Sequence, residues 1–222
     1  MSALRRTLFA FAALGVGFMV FTAVVAAGTT HSLDVDVSHA MTEAWRPQLG
    51  LPFRLLALFG GLEMTTLVTA LLGLWLWRHH FGVDALAVLA LPAVVVLEIL
   101  YKRIVDYPAP PASVRHGDGP SVSDLLGQSL AAGSFPSGHM VRTVVAYGLL
   151  AFVVARLSER RWLRWTAVIG ALVLIAAESF DRVYLQAHWE SDVLGGLLLG
   201  GLGLAGAIIW LDRPWAAAPW SD

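Results

Sequence analysis

Six stretches of the chain are long and apolar enough to cross a lipid bilayer, and this restricts the fold more than any other feature. A hydrocarbon core of roughly 30 Å takes about 20 residues of helix, and inside it every backbone polar group must find a partner within its own segment. The predicted spans run near Thr7–Ala27, Phe53–Trp77, Val83–Tyr101, Met140–Val154, Trp162–Phe180 and Val193–Leu211. The expected fold is all-α, a polytopic six-helix bundle forming one membrane-embedded domain over residues 1–222. With 57% hydrophobic and 14% charged residues, the composition lies outside the globular range. A net charge of -1 gives no global attraction to nucleic acid, and the lack of cysteine excludes disulfides, thiolate catalysis and thiolate metal sites. Arg5 and Arg6 before the first span, and Val25-Ala26-Ala27 at its end, resemble the flanks of a signal peptide. The apolar run is long for one, so an uncleaved anchor is favoured.

Short loops orient such a bundle, because Lys and Arg concentrate on the cytoplasmic side. With both termini inside, the cytoplasmic segments carry Arg5, Arg6, Arg78, Arg156, Arg160, Arg161, Arg164 and Arg213, densest after the fourth span. The outer segments carry Arg46, Arg54, Lys102, Arg103, Arg115, Arg142 and Arg182, nearly as many, so these need a reason of their own. Between His31 and Leu51, Val35, Val37, Ala40, Met41 and Trp45 recur at helical spacing, which predicts a short interfacial helix with Trp45 at headgroup depth. Pro108, Pro110 and Pro111 stiffen the start of the next outer loop, and Ser123-Asp124 is placed to cap a short helix through Leu125, Leu126 and Leu130. Gly195, Gly196, Gly200, Gly201 and Gly206 suit close packing of the last span. His31, His39 and His116 read as solvated loop residues, and most tryptophans as an interfacial belt.

Three outer-facing segments at span ends concentrate groups that suit a phosphate. Lys102-Arg103 closes the third span; Phe135-Pro136-Ser137-Gly138-His139 opens the fourth; Arg182, His188 and Asp192 lead into the sixth. Ser137 and Gly138 precede a helix, so backbone N–H groups, a hydroxyl and the positive helix end can hold an anion. Lys102 and Arg182 supply full charges. His188 and Asp192 are four apart, so on a helical segment the carboxylate can keep one ring nitrogen protonated and leave the other to attack. His139 is suited to protonating a leaving alkoxide, and Trp189 to walling the site. Glu98, four before Lys102, is expected to pair with it and position it; Glu178 stands likewise four before Arg182.

On these segments the chain resembles, over essentially its whole length, the type 2 phosphatidic acid phosphatase family, the membrane relatives of vanadium haloperoxidases and bacterial acid phosphatases. That family carries three blocks: lysine, six residues and Arg-Pro; then Pro-Ser-Gly-His; then Ser-Arg, five residues, histidine, three residues and aspartate. The second block is intact as Pro136-Ser137-Gly138-His139, and Arg182, His188 and Asp192 keep the spacing of the third. The resemblance implies a phosphohistidine on His188, oriented by Asp192, with His139 as acid and then base. It also implies phosphate binding by Lys102, Ser137, Gly138 and Arg182, with no metal or cofactor, and a site at the outer face of six spans. Two positions depart from the pattern: Ala109 stands where the first block has arginine, and Asp181 where the third has serine. Loss of that guanidinium makes Arg142, or else Arg103 or Arg115, a candidate compensating cation. The expected activity is hydrolysis of a lipid phosphate or diphosphate drawn from the bilayer. Isoprenoid diphosphate, phosphatidate, phosphatidylglycerophosphate and a phosphorylated glycolipid are all compatible. The alternatives are lipid-to-lipid phosphotransfer and a non-catalytic member that binds or transports lipid.

Overall fold

The computed structural model describes residues 3–117 and 133–213, and among them the regular structure is entirely helical. In chain order the elements are α1 (Ala3–Ala26), α2 (His31–Ala44), α3 (Pro47–Gly60) and α4 (Leu62–Arg78). A 3-10 helix (Gly82–Leu89) then runs into α5 (Ala90–Ile104), followed by α6 (Gly138–Leu157), α7 (Arg161–Tyr184) and α8 (Glu190–Leu211). The short helix expected after Ser123-Asp124 lies outside the described residues, as does Trp215.

Five of these segments are long and apolar enough to cross a membrane: Leu4–Ala26, Gly82–Ile104, Gly138–Leu157, Arg161–Tyr184 and Glu190–Leu211. The expected continuous span Phe53–Trp77 is instead a bent pair, α3 and α4, turning by 41° at Gly60-Gly61. A carboxylate from another helix meets the backbone at the bend. Glu178 of α7 accepts the Gly60 N–H at 3.1 Å, and a Cβ on Gly60 would stand 2.8 Å from Glu178 Oε2 and 2.9 Å from Thr143 Oγ1. Glycine lets the polar pair reach the backbone, and Gly61 takes extended angles that end α3. The chain is thus a multi-pass helical membrane protein, with six spans when the bent pair is counted as one.

The most enclosed helix is α6, packed along α7 and α8, with α1 lying on the far side of α8. Phe18 and Val25 of α1 enter the same core as Val94, Phe135, Val141, Val145 and Leu199. The glycines of α8 face these neighbours: a Cβ on Gly200 would meet Val144 Cβ at 2.8 Å, and one on Gly203 would overlap Val94. Small residues here let backbones approach where lipid gives no hydrophobic drive to helix pairing. At Gly196 a Cβ would stand 2.6 Å from the Ser137 carbonyl oxygen and 2.7 Å from Met140 Cβ. Gly196→Ala is therefore expected to force α8 off the start of α6, at about 1–3 kcal/mol. Thermal unfolding in detergent, run beside the phosphate-release assay described below, should show a lower midpoint and a weaker activity.

Helix α2 docks differently from the expectation. Of the apolar positions that signal the helix, Val35 packs against the core, and a polar stripe of Asp34, Ser38 and Thr42 adds contacts that the apolar spacing does not show. Asp34 is buried and accepts from Ser191 N–H at 2.9 Å, Ser191 Oγ at 2.7 Å and Tyr107 OH at 2.5 Å. Ser38 donates to Gln186 Oε1 at 2.5 Å, and Gln186 Nε2 donates to Thr42 at 2.9 Å. Two histidines are also more engaged than loop residues would be. His31 packs edge-on to Tyr107 and Trp189, and His116 stacks on Trp45 at 3.5 Å between ring centres. At the other end of the bundle Arg213 pairs with Asp84 at 2.6 Å and Arg156 with Asp212 at 3.2 Å.

Candidate active site

The three motif segments meet at one end of the bundle because the chain before α6 is laid on the chain after α5. Gly133 N–H donates to the Lys102 carbonyl at 3.0 Å, and Ser134 N–H to that of Tyr107 at 2.8 Å. A Cβ on Gly133 would stand 2.6 Å from the Lys102 oxygen, so the strap needs glycine to lie this close. The Phe135-Pro136 peptide is cis, and Phe135 packs its ring on Gly195 and stacks with Phe18. From Ser137 the chain turns into α6, whose first internal bond is Val141 N–H to the Ser137 carbonyl at 3.1 Å. The Ser137 N–H, expected to face an anion, instead donates to the Asp192 carbonyl at 2.9 Å, so only the N–H groups that follow it in the first turn lack an acceptor within the helix.

The third segment is a tight turn between α7 and α8. Its Gln186 takes a positive φ of 53°; Ala187 and His188 N–H groups both reach the Arg182 carbonyl, at 3.1 and 3.3 Å. This places His188 two residues before α8, where Asp192 is the third helical residue. Asp192 Oδ2 accepts the Trp189 N–H at 3.0 Å, which satisfies one donor of the helix start. The same oxygen lies 3.3 Å from His188 Nδ1 and accepts a short hydrogen bond from Ser134 Oγ. Ser134 Oγ is in turn 3.3 Å from His188 Nδ1. Because the serine proton goes to the carboxylate, the serine oxygen keeps a lone pair for Nδ1–H. Both neighbours therefore accept from Nδ1, and the ring lone pair belongs to Nε2.

Around this pair the cations gather. Lys102 Nζ lies 2.9 Å from Glu98 Oε1, and Arg142 Nη1 lies 3.0 Å from Glu98 Oε2. Arg182 is fully buried, and its Nε donates to Asp181 Oδ2 at 2.8 Å, with Nη2 on the same oxygen. Arg182, Arg142 and Lys102 stand close enough to the buried His139 for their charges to act on it, and His188 lies in the same neighbourhood. Ser137 Oγ and Arg142 Nε are buried with no hydrogen-bond partner among the described residues. Glu98, Lys102, Ser137, Gly138, His139, Arg142, Asp181, Arg182, His188 and Asp192 are thus one neighbourhood. Arg103 and Arg115 are exposed, and so is Ala109.

Four contributors carried no signal in the sequence reading. Ser134 sits just outside the Pro-Ser-Gly-His block. Asp34, Tyr107 and Gln186 belong to no block at all. Asp34 accepts at the second residue of α8, so it fixes the helix start from which Asp192 projects. Tyr107 donates to it, and its phenol is pushed above its ordinary range, first by burial and then by the Asp34 hydrogen bond. The phenol therefore remains a donor. Asp34→Ala removes this cap and leaves Ser191 and Tyr107 unmatched, at about 0.5–2 kcal/mol for a helix cap. The expected result is a lower melting midpoint and a reduced turnover; an unchanged turnover would make α2 a mere neighbour of the site. Trp189 is buried, unlike Trp75, Trp77, Trp162 and Trp165 on the outside of the bundle, and donates to the Pro108 carbonyl at 2.6 Å. It anchors the proline segment over the turn that holds His188.

The fold defines a multi-pass helical membrane protein with its histidines and cations collected at one end. The chain belongs to the PAP2 superfamily, whose family model matches residues 81–216. Over 78 residues it is 41% identical to a protein of Escherichia coli (strain K12) provisionally named an undecaprenyl-diphosphatase, covering 35% of each chain. It is 32% identical over 71 residues to phosphatidylglycerophosphatase B of Bacillus subtilis (strain 168), 30% of this chain and 34% of that one. It is also 34% identical over 67 residues to undecaprenyl-diphosphatase of Sulfolobus acidocaldarius, 30% of this chain and 28% of that one. The chain spans about a third of the length of the curated relatives it matches. In fold it is similar to the crystal structure of a transmembrane PAP2-type phosphatidylglycerolphosphate phosphatase from Bacillus subtilis, with a TM-score of 0.75 and 21% identity. That likeness covers 90% of this chain and 94% of the other.

Proposed function

We propose that the protein is an integral membrane lipid phosphatase that works through a phosphohistidine on His188. The observation that carries this reading is the pairing of His188 Nδ1 with Asp192 and Ser134, which leaves Nε2 as the nucleophilic nitrogen. In the proposed cycle the phosphate lies against the start of α6, held by Ser137, Gly138, Lys102 and Arg182, with Arg142 as the compensating cation. Nε2 attacks phosphorus as the P–O bond to the lipid breaks, and His139 gives its proton to the leaving oxygen. Water then attacks the phosphohistidine, His139 takes a proton from it, the P–N bond breaks, and inorganic phosphate leaves. For a lipid diphosphate the first leaving group is the lipid monophosphate.

The named activities of the relatives nominate two substrates, undecaprenyl diphosphate and phosphatidylglycerophosphate; phosphatidate completes a discriminating panel. The arginines at the end opposite the site support an orientation with both termini cytoplasmic and the site at the outer face. The test is phosphate release from each lipid by the full chain in detergent with chelator present. It is joined to a search for a labelled protein adduct that survives base and is lost in acid. Release of phosphate with such an adduct is the expected result. Label appearing on a second lipid instead of as free phosphate would make the protein a phosphotransferase. No release and no adduct with any lipid would leave a binding or transport role.

A further inference from the structure

Glu98 holds two of the cations that a substrate phosphate would seek. It lies on α5 one turn before Lys102, is 5% exposed, and joins cations from two helices, Lys102 at 2.9 Å and Arg142 at 3.0 Å. Its carboxylate also presses on the first residue of α6. A Cβ on Gly138 would overlap Glu98 Oε1 and stand 2.5 Å from its Cδ and 2.7 Å from Arg142 Nη1. A helix start, an ammonium and a guanidinium are the three partners an oxyanion seeks. The carboxylate does not exhaust them, since Ser137 Oγ and Arg142 Nε remain buried without a hydrogen-bond partner among the described residues. Two oxygens reach part of the cradle, and a tetrahedral anion has more to offer it.

We propose that Glu98 is an internal counter-anion that competes with phosphate for Lys102 and Arg142, and so sets how tightly the site holds substrate and product. This rests on the phosphatase reading above. The other charges nearby are already matched: Arg182 by Asp181, and His188 facing Asp192. Glu98 is therefore the carboxylate that an arriving phosphate must displace or sit beside. Between turnovers it neutralises the buried Arg142 and the half-buried Lys102, whose charges would otherwise be costly. After hydrolysis it reclaims them and repels the product, which favours release.

The probe is inorganic phosphate, measured by calorimetry on the full chain in detergent and as a competitive inhibitor of lipid hydrolysis. Glu98→Gln keeps the shape and removes the charge, and is expected to lower the phosphate Kd and Ki about tenfold, with a fall in KM. Arg142→Gln is expected to raise both constants by about the same factor, and the double variant to lose the gain. A scaffold that merely holds Lys102 in place predicts the opposite for Glu98→Gln, so unchanged or weaker phosphate binding overturns the proposal. Should that variant not fold, Glu98→Asp retracts the carboxylate from Gly138 by one methylene. It is expected to tighten phosphate by a smaller factor, and no tightening there overturns the proposal equally. A wild-type chain that neither binds phosphate nor releases it from lipid would instead defeat the phosphatase reading itself.

Discussion

His188→Gln is expected to abolish phosphate release, lowering kcat by about ten-thousandfold or more, because the nucleophile has no substitute within the site. Glutamine fills much of the same volume and can still hydrogen-bond to Ser134 and Asp192, so the fold should survive. The His188 side chain is 14% exposed, and its polar contacts are those to Asp192 and Ser134 that glutamine can take over. The measurement is steady-state phosphate release with a melting curve alongside, and a search for the labelled adduct. Wild-type melting with neither turnover nor adduct is the expected result. Turnover near the wild-type rate would move the nucleophile elsewhere, and His139 would be the next residue to test.

The second large effect is expected for Asp192→Asn, about 100-fold to 1,000-fold in kcat. One carboxylate oxygen accepts from Trp189 N–H, Ser134 Oγ and His188 Nδ1. An asparagine can keep its carbonyl in that position, but it then buries an amide where Oδ1 has no hydrogen-bond partner among the described residues. In the proposed cycle it also removes the negative charge that would steady the ring when His188 carries phosphate. The opposite amide orientation is worse, because it turns a donor toward the Trp189 N–H. Turnover should fall while KM changes little, since the loss bears on the reacting state and not on substrate capture. A large rise in KM with kcat preserved would place Asp192 in binding instead. The unfilled donors are expected to cost about 1–3 kcal/mol of stability as well.

Much of this was legible in the sequence, for identifiable reasons. Spans are written as continuous apolar runs, and the spacing of Arg182, His188 and Asp192 survives folding because a tight turn and one helical turn hold them. What escaped depends on partners remote in the chain. The break at Gly60-Gly61 looks like ordinary small-residue packing until Glu178, 118 residues away, is seen against it. Ser134 reaches Asp192 across 58 residues, and Asp34 reaches Ser191 across 157. Helix α2 was legible as a helix from Val35, Val37 and Ala40, but the polar residues that also fasten it stand outside that pattern. Ala109 marked a missing charge correctly as a sequence fact, while the position of Arg142 beside Glu98 and Gly138 is a matter of packing.

The clasp between Asp34 and Ser191 has a consequence for how the protein is made. Its two partners leave the ribosome 157 residues apart, with the helices α3 to α7 made between them. Until the second is made the start of α8 does not exist, and α2 waits at the membrane surface with a buried-type carboxylate still in water. Contacts this distant close late, because the loop entropy must be met before they form. The proposed nucleophile His188 therefore lacks its supporting helix start until Ser191 and Asp192 have been made. Activity should switch on only when α8 has joined the bundle.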